Sequence, residues 1–183
     1  NAGMLTADAG PDQSVCTPIT SATLAGSALI PPGTGLWTLI SGTGVFVDAT
    51  NPGTVVSGLS LGANVFRWSV ENGPCAAPSS NDVTISVFNG NAQQADAGLD
   101  QQLCDNAATT VMAANAAVSP ATGSWTVQQG TATFGNATSP TTGVSGLSLG
   151  VNIIVWSLDN GACGTSSDPV SITVYDDANP IAN

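Results

Sequence analysis

The chain has 183 residues, with twelve acidic side chains, a single basic one (Arg67), no histidine and a formal net charge of −11. Without His or Lys, a Ser-His-Asp triad, a Cys-His pair, a histidine metal site and lysine Schiff-base chemistry cannot be built, and a phosphate backbone would be repelled, which excludes nucleic acid as a partner. Hydrophobic residues make up 42% and charged ones 7%; this is the balance of a packed chain, not a disordered one, and no apolar run approaches the ~20 residues needed for membrane insertion.

Residues 1–6 read as an incoming linker. No signal peptide is recognisable, so a mature form or a fragment is expected. Short β-rich runs then alternate with Gly, Pro, Asn and Ser, predicting strands at 13–16, 22–28, 35–41, 45–49, 54–58, 63–71 and 82–88. Seven such runs without helical periodicity predict an all-β Greek-key β-sandwich over residues 7–88. Residues 89–94 read as a linker. The pattern then starts again. "ADAGPDQSVC" (Ala7 to Cys16) aligns with "ADAGLDQQLC" (Ala95 to Cys104), and 34 of the 69 positions from Ala7 to Cys75 are identical at an offset of 88. A second module therefore covers 95–175, and the register slips by one residue between Gly73 and Val83. Residues 176–183 read as a linker and the start of a third repeat.

The copies test each other. Phe66, Trp68 and Val70 become Ile154, Trp156 and Leu158, while Arg67 between them becomes Val155. Trp37 and Leu39 match Trp125 and Val127, whereas Leu36 and Ile40 become Ser124 and Gln128. Val83, Ile85 and Val87 match Val170, Ile172 and Val174. One face stays apolar and the other drifts, as a sandwich core requires. All four Trp fall on the apolar face. The rival is a sugar-stacking platform, for which Phe88 and Tyr175 are the obvious outward aromatics.

Four cysteines, Cys16, Cys75, Cys104 and Cys163, show no CxxC spacing. Their even number favours disulfides and an oxidising, extracytoplasmic location. Cys16 to Cys75 and Cys104 to Cys163 both span 59 residues, which favours bridges within modules. A simple sandwich puts the end of the first strand and the turn before the last strand at opposite ends, so a modified first strand or bridges between modules is the alternative.

Eight of the twelve acidic residues read as recurring pairs: Asp8/Asp96, Asp12/Asp100, Glu71/Asp159 and Asp82/Asp168. Asp8, Asp12, Asp96 and Asp100, near module junctions, are candidate calcium ligands, as are Asp176 and Asp177 by position. The competing reading is turn chemistry, in which Asp bonds nearby backbone N–H groups, and on it no cofactor is expected. Nothing places two carboxylates in a shared cleft for glycoside hydrolysis, so an enzyme is not expected. Leu36, Ile40, Val45 and Val47 point outward by alternation and are polar or small in the second copy, marking a candidate assembly surface. "SGLSLG" occurs unchanged at Ser57–Gly62 and Ser145–Gly150. It reads as a corner between sheets, with Leu59 and Leu61 plugging the end of the core. Gly62 and Gly150 permit the turn, and Asn64 and Asn152 brace it through their amides.

The run of "ADAGPDQ-x-x-C", a Trp, "NPGTVVSGLSLGANVFRW", "NGPC" and "NDVTISV" resembles the PKD/Ig-like tandem repeats of very large secreted surface proteins of Bacteroidota. The resemblance covers both modules and implies two Ig-like/PKD-like sandwiches in a stalk, adhesin or filament exported by the type IX system. It implies an extracellular, cell-surface structural or adhesive role, and it transfers no catalytic residue. Partners implied are neighbouring repeats or copies of the chain itself, with surface glycans or other cell-surface proteins as further candidates. The alternatives carried are a carbohydrate-binding β-sandwich module and a strand-donating fibre subunit.

Overall fold

The computed structural model describes residues 6–73, 77–91, 93–105 and 108–178. Most of the incoming linker, Ala92, Cys75 and residues 179–183 of the expected third repeat lie outside the described residues. The first repeat forms β1 (Gln13–Cys16), β2 (Ser21–Thr23), β3 (Thr34–Ser41), β4 (Val45–Phe46), β5 (Val55–Ser57), β6 (Gly62–Glu71) and β7 (Ser79–Phe88). The second forms β8 (Gln101–Cys104), β9 (Thr110–Val111), β10 (Thr122–Gln129), β11 (Thr133–Phe134), β12 (Gly143–Ser145), β13 (Gly150–Asp159) and β14 (Thr165–Tyr175). A 3-10 turn, Gly161–Cys163, precedes β14.

The protein is all-β, with two Ig/PKD-like β-sandwiches. In each, a four-stranded sheet (β1-β7-β6-β3, then β8-β14-β13-β10) accompanies a three-stranded one (β2-β5-β4, then β9-β12-β11). All pairings are antiparallel except those of the first strand of each repeat. β1 runs parallel to β7 and β8 parallel to β14, placing Cys16 opposite Phe88 and Cys104 opposite Tyr175. The chain divides into two compact units: Asn1–Asn91 with Gly161–Cys163, and Ala92–Asn160 with Gly164–Asn183. The first unit thus includes three residues from the second repeat.

Period-2 alternation puts one side of β6 and β7 inside. Phe66, Trp68, Val70, Val83, Ile85 and Val87 are buried, as are Ile154, Trp156, Leu158, Val170, Ile172 and Val174 in the second unit. Trp37 lies 5.0 Å from Trp68, and Trp125 lies 4.9 Å from Trp156, centroid to centroid and tilted. Trp37 Nε1–H donates to Pro52 O and Trp125 Nε1–H to Ser139 O. Trp68 and Trp156 Nε1 are buried without a partner. The indole of Trp68 packs over Gly35, and that of Trp156 over Gly123, so closely that a Cβ at either glycine would overlap the ring. The G-x-W spacing therefore builds a slot: glycine makes room for the central indole, and the Trp two residues on lies beside it.

Several expectations needed correction. The strand expected at 22–28 pairs only over Ser21–Thr23. Beyond it, Leu24 N–H bonds Thr54 O, Gly26 N–H bonds Pro52 O, and Ser27 N–H turns to Asp8 O, so the regular ladder ends where the chain crosses above the two indoles. The strand expected at 45–49 is regular only over Val45–Phe46; Val47 N–H still bonds Val55 O, and Ala49 O then accepts from Trp37 N–H. Leu39 and Val127, expected inside, are 41% and 38% exposed. The ladders shift register between Leu39 and Ser41 and between Val127 and Gln129, and such a bulge re-aims the side chains around it.

Gly35→Ala is expected to destabilise the first unit by about 1–3 kcal/mol through overpacking against Trp68, read as a lowered urea midpoint at unchanged slope. Arg67 sits in the centre of β6, between β3 and β7, so the native chain is expected to survive trypsin and to be cut only after unfolding, as a digestion gel would show.

Candidate functional site

The corner built by "SGLSLG" is the most elaborate polar arrangement in each unit. Asn64 is fully buried. Its Oδ1 accepts from Thr43 N–H at 2.9 Å, Ser60 Oγ–H at 3.0 Å and Ser60 N–H at 3.3 Å. Its Nδ2 donates to Ser60 O at 2.9 Å and to Gly62 O and Ile85 O at 3.3 Å. Asn152 repeats every bond with Thr131, Ser148, Gly150 and Ile172. The amide thus ties the turn after β3, the corner and the neighbouring strand together. Gly58 and Gly62 have φ of 72° and 92° with open space around them, so glycine is required there by backbone conformation, not by crowding. Leu59 is buried, but Leu61, expected to plug the core, is exposed, as is its counterpart Leu149: the turn at Gly62 directs the second leucine out.

The "ADAG-x-D" segment is a clamp. Ala7 N–H donates to Ser79 Oγ and Ala9 N–H to Asn81 Oδ1. Asp8 Oδ1 accepts from Gly10 N–H at 2.8 Å, and Asp12 Oδ1 from Thr84 N–H at 2.8 Å. Asp96 and Asp100 do the same with Gly98 and Ser171. All four candidate calcium ligands accept from backbone N–H groups: Asp8 and Asp96 within their own turns, Asp12 and Asp100 across to the last strand of the repeat. Ala97 N–H donates to Asp168 Oδ2, so Asp168 takes the place of Asn81. The expected Asp82/Asp168 pair is a misalignment by one residue. Asp82 instead accepts from Arg67 Nε at 2.7 Å and Nη2 at 2.8 Å; this hydrogen-bonded guanidinium holds the Asp82 carboxyl below its usual range. Asp105, Asp176 and Asp177 bring their carboxylates within 4.8 Å of one another at the exposed end of β14. There the hydrogen bond to Asp105, reinforced by lost solvation and by repulsion from Asp105 and Asp176, raises the Asp177 pKa.

The proposed assembly face divides. Leu36, Ile40, Val45 and Val47 are all exposed. Trp37 is buried beneath the four-stranded sheet, so Leu36 projects from that sheet's outer side, with Ile40 in the bulge. Phe46 packs edge-on against Phe66 at 5.5 Å, so Val45 and Val47 project from the outer side of the three-stranded sheet. The outer faces of a sandwich point apart, and the four do not form one surface. The sugar-platform reading loses its tryptophans, since all four are buried. Phe88, expected outward, is only 9% exposed, whereas Tyr175 is 42% exposed.

Among the described residues, Cys16 forms its disulfide with Cys163, with Cα atoms 5.1 Å apart, and not with Cys75 as expected. The parallel pairing of β1 explains why. Cys16 stands opposite Phe88, at the far end of β7 from Ser79. Nine steps along a strand cover roughly 30 Å, four residues of chain before Ser79 reach back at most ~14 Å, and a disulfide needs Cα atoms within ~7 Å. The same argument separates Cys104, opposite Tyr175, from Cys163 before Thr165. Cys104 is a free, exposed thiol.

No family model matches the chain, and no curated protein matches it. Among solved structures, it is similar to the PKD domain from the KIAA 1837 protein, at 23% identity and TM-score 0.41, covering 50% of this chain and 95% of that one. It is also similar to fibronectin(III)-like modules of Clostridium thermocellum CbhA, at 14% identity and TM-score 0.44, covering 98% of both chains. A third is a SusE-like surface located polysaccharide binding protein of Bacteroides thetaiotaomicron, at 10% identity and TM-score 0.35, covering 90% of this chain and 33% of that one. None assigns a residue role here.

Asn64→Ala would leave Thr43 and Ser60 N–H without their acceptor. A loss of about 2–4 kcal/mol is expected, measured by denaturant unfolding, with Asn152→Ala giving a matching loss in the second unit.

Proposed function

We propose that the chain is a structural repeat segment of an extracellular bacterial surface protein or filament, a disulfide-stapled spacer that serves assembly or adhesion. On this reading it belongs at the cell surface of a Bacteroidota-type organism, is exported by the type IX route that the "ADAGPDQ-x-x-C" resemblance implies, and has neighbouring repeats or copies of itself as partners. The observation that carries the proposal is the Cys16–Cys163 bond, which closes a covalent loop with a sequence separation of 147. In the chain-entropy account a loop of that length stabilises by about 5 kcal/mol. Its mechanical effect is larger: tension applied at the two ends of the chain passes through the bond and bypasses everything between Cys16 and Cys163. The polar groups fit the same role. The corner asparagines and the "ADAG-x-D" aspartates spend their hydrogen bonds on backbone, which suits a module selected for persistence.

Single-molecule pulling from the two ends tests the proposal. The oxidised chain is expected to show no unfolding step of module size. After reduction, two steps should appear, releasing together roughly 500 Å of contour. Module-sized steps in the oxidised chain would refute the tension-bearing role.

A further inference from the structure

The two repeats differ along one row on the outer side of the three-stranded sheet. In the first unit the row is Val47, Val55 and Thr23: Val47 N–H bonds Val55 O, and Thr23 pairs with Val55. At the matching places in the second unit stand Gly135, Gly143 and Val111. Gly135 N–H bonds Gly143 O, and Gly143 pairs with Val111. The next residues along the middle strand, Val56 and Val144, are buried, so both rows face outward. On the first unit Val45, Val47 and Val55 are exposed and form an apolar ridge. On the second, the two glycines line an open groove of about 380 Å³ together with Val111, Thr109 and Ser145.

The fold itself does not ask for these glycines. Neither has a positive φ. A Cβ on Gly143 would meet nothing within 4 Å, and one on Gly135 would make ordinary contacts at 3.6 Å. The first repeat carries valine at both positions in the same architecture. Glycine in a ladder costs backbone entropy, and where neither a turn nor crowding requires it, it marks the close approach of another group.

Charge and shape select that group. No charged residue lines the groove, so it has no hold on an ionic ligand. Two copies of a chain at −11 repel wherever carboxylates meet. The ridge brings valines flanked by Thr23 and Ser57. The one carboxylate beside it, Asp48, is turned onto Thr50, and the matching residue beside the groove is the neutral Asn136. We propose that the groove at Gly135 and Gly143 is a docking site for the ridge of Val45, Val47 and Val55 on a second copy of this chain. Ridge and groove belong to different units, so each contact leaves one of each unused and association is open-ended. Three short strands present a face of roughly 10 Å by 10 Å, far below the ~800 Å² per partner of a stable complex. A single joint is therefore weak and gains strength where several act together along an array. The inference deepens the assembly reading and rests on it, but its test reads association and not force, so either can fail alone.

The whole oxidised chain, isotope-labelled and with its free thiols capped, is followed by NMR from micromolar to millimolar concentration. Concentration-dependent amide shifts are expected at Gly135, Gly143 and Val111, and at Val47 and Val55. Gly143→Val fills the groove and Val47→Ser blunts the ridge, and either change alone should abolish the shifts. Labelled Val47→Ser, whose groove is intact, should regain the groove shifts when unlabelled Gly143→Val is added. Melting temperatures at or above the native value would show that both variants fold. Three results would each overturn the joint: no concentration dependence up to the millimolar range, groove shifts that survive Gly143→Val, or a concentration-independent difference at Gly135 and Gly143 between native and Val47→Ser chains, which would place the chain's own ridge in the groove.

Discussion

A primary amide with no access to water fixes the geometry of each repeat. Asn64 and Asn152 are each bonded at once to the turn after the third strand, the sheet-to-sheet corner and the backbone of the last strand. A buried amide carries two acceptor sites and two N–H donors, and leaving them unmet is costly. The residues that satisfy it are therefore constrained in turn: Ser60 must supply a hydroxyl, and Gly62 must turn the chain with a positive φ so that its carbonyl faces Nδ2. Gly42 must also lack a Cβ, because one would press on Oδ1. This is why "SGLSLG" survives unchanged in both copies while the outer faces of the sheets have drifted.

The apolar pattern and the polar pattern were legible to different degrees. Phe66, Trp68, Val70, Val83, Ile85 and Val87 announced themselves because a strand has a strict period and the second copy kept it. The same logic failed at Leu61 and Leu39, where a positive-φ glycine and a bulge break the period. The bracing role of Asn64 could be read from its place beside the corner, but its partners at Thr43 and Ile85 are distant in sequence. The aspartates showed their turn chemistry locally, in Asp8 and Asp96. The exchange of Asn81 for Asp168 was hidden, because one deleted residue moved an acidic letter into a misleading alignment.

The disulfide was the least legible feature, for a reason that lies in repetition itself. In a chain of equal repeats, any spacing within one module is found again in the next. The equal spans from Cys16 to Cys75 and from Cys104 to Cys163 follow from the repeat and carry no pairing information. What decides the pairing is the parallel direction of β1 against β7, which sends Cys16 to the end of the last strand. The carboxyl-terminal end of that strand is also where an aromatic residue stands, Phe88 in one copy and Tyr175 in the other.

The same bond sets an order of events. Each sandwich draws its core from within one repeat, so folding can proceed as soon as a last strand is available. Cys16 must wait for a partner that is made 147 residues later. Until the turn before β14 has been made, the Cys16 thiol is without the partner it has in the folded chain. Closure of the bond is therefore a chemical record that the chain has been made at least as far as Cys163, legible to anything that senses free thiols.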